Sequence, residues 1–123
     1  MTASKQLDTS VWLAYFFKSS LEAKKIIEEE NGLFFTSSLS LFEIKKKLLS
    51  LQKESEKFLE FVKSRSTILP LSLEIAEKAA EIALEKKLGA VDALLYATGV
   101  LSQAEFITAD NDFRKLERVR MIS

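Results

Sequence analysis

Four carboxylates recur where a short apolar run gives way to a helix: Asp8, Glu43, Asp92 and Asp110. Asp8 stands in Leu7-Asp8-Thr9-Ser10-Val11-Trp12-Leu13, just past a predicted strand, and Asp110 follows another in Ile107-Thr108-Ala109-Asp110. Glu43 falls in the first turns after the second predicted strand, and Asp92 opens the helix before the fourth. Carboxylate oxygens bind hard divalent cations, and without His or thiolate they suit Mg²⁺ or Mn²⁺ and not zinc. The chain has no His and no Cys. That removes imidazole as a general base, the Ser-His and Cys-His nucleophile pairs, disulfides and the common zinc ligands.

Each acid also has a structural role open to it. Asp8 and Asp110 could cap the helices that follow them, and Ser40-Leu41-Phe42-Glu43 has the spacing of a capping box. Asp92 suits a helix N-terminus through the macrodipole. Such a role does not exclude metal binding, because a helix N-terminus can also orient a ligand. The surroundings favour a shared site. Asp8 and Asp92 sit among apolar neighbours with no Lys or Arg beside them. A buried carboxylate costs several kcal/mol unless compensated. Like charges brought together repel, and a divalent cation relieves that repulsion.

The elements that must position these acids can be read from periodicity. Strands are predicted at 5–8, 33–36, 67–71 and 105–108, with an edge strand at 119–122 and Pro70 at the end of the third. A densely buried helix runs from Ser10 through Phe17, and a second begins at Ser20 and stops at Asn31-Gly32. Ser37 to Ser40 lead into a third helix, whose apolar side is Leu41, Phe42, Ile44, Leu48, Leu49 and Leu51. Further helices are predicted over 54–64, from the Ser72 cap to Leu88-Gly89, over 90–101, and, briefly, over 111–117. Strands alternating with helices imply a mostly parallel sheet of four to five strands between two helical layers, a three-layer α/β/α sandwich. In such a sheet ligands bind beyond the carboxyl ends of the strands, where the strand order switches.

The 123 residues suit one domain, 1–123, and 47% hydrophobic content can build a real core. Eighteen basic and eighteen acidic residues cancel, which argues against a general nucleic-acid coat. Lys45, Lys46 and Lys47 form the one basic run. At ~100° per residue they fan around a helix and do not make a stripe. The first residues carry no apolar leader and no run is long enough to span a membrane, so a cytoplasmic location is expected.

The motifs together resemble a PIN-domain ribonuclease of the VapC-like toxin type. The matching segments are Leu7 to Val11, Ser38 to Glu43, Gly89 to Leu94 with Ala97-Thr98, and Ile107-Thr108-Ala109-Asp110-Asn111-Asp112-Phe113. They cover essentially the whole chain, in order. The resemblance implies that Asp8, Glu43, Asp92 and Asp110 are both metal ligands and catalytic acids. It implies supporting roles for Asp112, Thr9 and Ser10, and endonucleolytic hydrolysis of RNA dependent on Mg²⁺ or Mn²⁺. A homodimer and a cognate antitoxin follow from it as partners. Lys45, Lys46, Arg114 and Lys115 are the nearest candidates to hold RNA. Gly99 departs from the expected pattern, since Ala would continue the helix. Two rivals remain: a catalytically idle PIN-like scaffold that binds a protein partner, and a Mg²⁺-dependent phosphotransfer protein. A dehalogenase-like phosphotransferase should carry a second acid two residues after the first, where this chain has Ser10.

Overall fold

The computed structural model describes residues 4–123. The elements are β1 (Ser4–Leu7), α1 (Thr9–Phe16), α2 (Leu21–Glu29), β2 (Leu33–Ser37), α3 (Ser38–Ser50), α4 (Glu56–Arg65), β3 (Thr67–Leu69), α5 (Leu73–Lys86), α6 (Ala90–Ser102), β4 (Glu105–Thr108) and β5 (Val119–Met121), with a 3-10 turn at Asn111–Phe113. All five strands are parallel, in the order β3-β2-β1-β4-β5. The chain steps outward from β1 to β2 and β3, then returns through α5 and α6 to lay β4 on the other side of β1. The switch point therefore lies between β1 and β4. The Asp8 N–H donates to the Ile107 carbonyl at 3.0 Å. Pairing thus runs one residue past the Leu7–Ile107 register and brings Asp8 level with Thr108.

Each face of the sheet has its own core. Leu7, Val11, Trp12, Ile27, Phe34, Ile44, Leu48 and Ile107 pack together on the side of α1, α2 and α4. Ile75, Ile82, Leu95, Tyr96, Phe106 and Phe113 pack on the side of α5 and α6. Strand alternation explains the division: Phe106 and Ile107 are consecutive, so they enter opposite cores. The buried Trp12 indole Nε1–H donates to Thr36 Oγ1 at 3.1 Å. Thr36 lies 2.8 Å from Ser66 Oγ, and Ser66 donates to the Val62 carbonyl at 2.8 Å. With those two protons assigned, Thr36 must donate to Ser66, and the relay ties α1 to β2 and α4. Serine caps fix helix starts as the sequence suggests: Ser20 Oγ accepts the Ala23 N–H and Ser72 Oγ accepts the Ile75 N–H, each at 3.1 Å.

Some local expectations are corrected. The third strand ends at Leu69, because Pro70 has no N–H to extend the ladder. The helix expected over 111–117 is only the 3-10 turn, since Phe113 is drawn fully into the core and the chain must reach β5 at Val119. The α3 helix, and Phe17 just past the end of α1, bury less than expected. Phe17, Phe42, Leu49 and Leu51 are 38%, 61%, 57% and 45% exposed, because a helix lying on a sheet covers only one stripe of itself. At Gly99, an added Cβ would stand 2.7 Å from Gln6 Oε1, so the close approach of α6 to β1 explains why Ala is absent. Gln6 is fully buried. Its Nε2 donates to the Leu95 carbonyl at 3.0 Å, while Oε1 has no partner. An unmade hydrogen bond of this kind costs roughly 1–3 kcal/mol.

Lys87 and Gln103 follow α5 and α6 in the left-handed conformation, at φ 57° and 56°. A side chain there costs about 1 kcal/mol, which Gly avoids at some expense in unfolded-state entropy. Lys87→Gly and Gln103→Gly should each raise the unfolding free energy by about 0.5–1 kcal/mol in urea titrations, and Ala at either position should bring no such gain.

Candidate metal centre

Asp8 occupies the N-cap of α1, yet its side chain makes no capping hydrogen bond. Its Oδ2 instead accepts from Ser10 Oγ at 2.7 Å and from Thr108 Oγ1 at 2.8 Å. Each hydroxyl has one proton, and both are directed at this oxygen. The same hydroxyls accept backbone N–H groups from the loop after β4, Ser10 from Ala109 at 2.9 Å and Thr108 from Asp110 at 3.0 Å. The carboxylate is thereby tied to the loop that carries Asp110 and Asp112. Neither hydroxyl is spent on Oδ1, which leaves that oxygen available to a ligand. Asp8 is only 4% exposed. Burial pushes its pKa above the ordinary carboxylate value, the Ser10 and Thr108 hydroxyls pull it back, and the Glu43 charge adds to the rise.

Glu43 projects from the second turn of α3. Its Oε1 accepts from Thr9 Oγ1 at 2.7 Å, and the buried Ser40 Oγ lies 2.9 Å from the same hydroxyl. The capping box does not form. The N-cap is Ser37, whose Oγ accepts the Leu39 N–H at 3.1 Å, and Ser40 is already inside the helix. Thr9 and Ser40 therefore orient the acid and do not close the helix end.

Asp92, in the first turn of α6, meets the loop after β4. One carboxylate oxygen from each of Asp92, Asp110 and Asp112 lies within 4.8 Å of the other two. Asp110 does take its capping role, since Oδ1 accepts the Asp112 N–H at 2.9 Å, but its second oxygen remains. Asp92 is pushed up to about 6 from an ordinary 3.8, first by burial and then by the charges of Asp110, Asp8, Asp112 and Glu43. The charges of the other four acids thus all reach Asp92. The tightest group is Asp92, Asp110 and Asp112, while Asp8 and Glu43 stand outside that 4.8 Å group. Opposite oxygens on a Mg²⁺ ion at about 2.1 Å are roughly 4.2 Å apart. The trio and the all-oxygen donor set therefore fit a hard divalent cation.

The basic candidates do not converge on these acids. Lys45 and Lys46 are exposed on α3, and Lys46 Nζ sits 5.8 Å from the centre of the Phe42 ring. Arg114 donates through Nε and Nη2 to Asn111 Oδ1 at 3.2 and 2.7 Å, and Lys115 is exposed. Sequence reasoning misses Thr108 and Ser40 as site residues. Thr108 does carry a signal, a hydroxyl on the last residue of a strand two positions before Asp110. Ser40 has none, because only the packing of α1 on α3 brings it to Thr9.

The raised Asp92 pKa makes a pH prediction. In the metal-free chain the folded state holds this proton more tightly than the unfolded chain does. The contribution of Asp92 therefore favours the folded state at low pH and is lost as pH rises from about 4 through 6. Asp92→Asn should raise the thermal midpoint of the metal-free chain at pH 7.5 and leave it nearly unchanged at pH 4. Mn²⁺ should raise the wild-type midpoint more at pH 7.5 than at pH 5, because proton and cation compete for the same carboxylates.

A search of curated proteins finds no match by sequence. Solved structures give extensive likeness of fold. A toxin–antitoxin complex from Klebsiella pneumoniae matches with a TM-score of 0.81 at 25% identity, over 95% of this chain and 96% of that one. VapBC2 from Rickettsia felis, bound to a DNA fragment from its promoter, matches with a TM-score of 0.76 at 18% identity, over 98% and 99%. Mycobacterium tuberculosis VapC20, a sarcin-ricin loop cleaving toxin, matches with a TM-score of 0.74 at 18% identity, over 96% and 98%. The PIN domain family model matches residues 6–119, a span that runs from the strand before Asp8 to the strand after Asp112. Fold and span agree, and the chain belongs to the PIN domain family.

Proposed function

We propose that this chain is a Mg²⁺- or Mn²⁺-dependent endoribonuclease that hydrolyses RNA phosphodiester bonds, one PIN-like domain acting in the cytoplasm as the toxin of a toxin–antitoxin pair. The observation that carries the reading is the convergence of Asp92, Asp110 and Asp112 beside a buried, hydroxyl-clamped Asp8. Its proposed metal ligands are Asp8, Glu43, Asp92 and Asp110, with Asp112, Thr9 and Ser10 in support. The similar structures support the biological role, because one is a toxin–antitoxin complex and another a toxin that cleaves the sarcin-ricin loop.

A bound divalent cation would supply the Lewis acidity that acidifies water and offsets phosphate charge. The remaining work falls to the chain. Asp8 offers Oδ1 while the Ser10 and Thr108 hydroxyls hold Oδ2. Thr9 holds Oε1 of Glu43, which directs Oε2 outward. With no imidazole in the chain, we assign a carboxylate as the side chain that receives the proton of the attacking water. We assign Asp92 or Asp110 to orient that water and take its proton. Hydrolysis leaves a 5′-phosphate and a 3′-hydroxyl. The phosphotransfer reading is weaker. The position that would hold its second acid is Ser10, whose proton is already committed to Asp8.

Two apolar surfaces support the partners. A groove of about 620 Å³ is lined by Tyr15, Phe16, Leu21 and Phe58, with Lys18, Lys24 and Glu28 among its polar groups. It suits the apolar side of an antitoxin segment. Phe42 and Leu49, seven residues apart and both more than half exposed, make an apolar stripe on α3 that suits a second copy of the chain.

End-labelled RNAs incubated with Mg²⁺ or Mn²⁺ should be cut, EDTA should stop the reaction, and Asp8→Asn should abolish it while the chain stays folded by circular dichroism. Cleavage that survives either change would remove the assignment. For the dimer, the double change Phe42→Glu with Leu49→Glu should convert a dimer to a monomer in light scattering. A wild-type chain that is monomeric at high concentration would refute that part.

A further inference from the structure

We propose that Gln6 is a positioning residue for the acidic centre: its amide holds α6 against β1 and so sets the separation of Asp92 from Asp8. The inference rests on the metal-centre reading above. Gln6 precedes Asp8 by two residues on the central strand, and Leu95, whose carbonyl it holds at 3.0 Å, follows Asp92 by three on α6. The bond therefore joins the two elements that carry these acids, about one helical turn from the site. Among the described residues it is the one side-chain hydrogen bond between β1 and α6. On the same face Tyr96 Oη donates to the Glu117 carbonyl at 2.6 Å, which ties α6 to the segment before β5 and not to the strand that carries Asp8.

Two further observations set this contact apart from ordinary core packing. A carbonyl can only accept, so Leu95 fixes the amide with Nε2 toward the helix and turns Oε1 away. That oxygen then lies buried without a partner, at a position where a side chain of similar length and no polar atoms would fill the same space. The orphan oxygen also occupies the volume that any Cβ at residue 99 would need, with Gly99 as the residue that leaves it room. A buried amide with one unmet atom, matched by a glycine on the facing helix, costs stability, and such costs are tolerated chiefly at or near functional sites. Holding α6 in register at the acidic centre is the function this one serves.

The experiment measures Mn²⁺ affinity by calorimetry, together with thermal stability in EDTA, for wild type, Gln6→Met and Gly99→Ala. Gln6→Met removes both polar atoms at nearly constant length. Gly99→Ala keeps the glutamine but displaces its amide. Each should weaken Mn²⁺ binding by roughly tenfold, the lower end of what loss of an outer-shell partner does, and Gln6→Met should not lower the melting temperature. In an Asp92→Asn background, Gln6→Met should produce no further loss of affinity, because the ligand it positions has gone. Unchanged affinity in Gln6→Met, a loss that simply tracks stability, or a full additional loss in the Asp92→Asn background would overturn the inference and leave the metal centre standing. Failure of the wild-type chain to bind Mn²⁺ would overturn both.

Discussion

The structure turns on a carboxylate buried at the carboxyl end of the central strand. Asp8 sits where β1 passes into α1 with no intervening loop, and it is almost completely removed from water. A charge so placed needs several partners. The chain supplies two hydroxyls, Ser10 from the helix just begun and Thr108 from the neighbouring strand, and turns both onto one oxygen. Those hydroxyls then recruit the amides of Ala109 and Asp110. Satisfying one buried acid thus fixes the start of α1, the end of β4 and the loop that carries two more acids.

The crowding that results is a defect in the isolated chain and an asset for ligation. Five carboxylates gather from the ends of different elements, and Asp92 is raised to about 6 by burial and then by the other four charges. Among the described residues none of the five is in an ion pair. A fold that spends stability in this way keeps a site ready for positive charge, and oxygen-only donors select a hard cation. The parallel topology makes the assembly possible: all five strands end at the same edge, so acids distant in sequence are delivered to one place.

The distribution of apolar surface follows from the same architecture. Two helical layers cover the sheet; α1 and α6 lie deep in them, while the other helices keep one face in solvent. Exposed apolar surface includes the Tyr15–Phe58 groove and the Phe42–Leu49 stripe. Close packing is confined to the places where elements must meet accurately. Residue 99 of α6, where glycine admits the Gln6 amide, is one. The Trp12-Thr36-Ser66 relay joining α1, β2 and α4 is another.

Much of this was legible in the sequence. Strand and helix alternation predicted the three-layer parallel fold, because burial on both faces leaves apolar runs of strand length between amphipathic helices. The absence of His and Cys narrowed any metal chemistry to oxygen ligands. Acids at the ends of predicted strands marked the site edge. What only the tertiary structure decided concerns distances between elements remote in sequence. It grouped Asp112 tightly with Asp92 and Asp110, set Asp8 and Glu43 outside that trio, and enlisted Thr108 and Ser40. It also explained Gly99 through Gln6 and reduced a predicted helix to a single turn. Periodicity records which side of an element faces the core, but not which side chain stands opposite. Hydrogen-bond partners and charge fields depend on that second fact, which exists only once the strands have been brought into register.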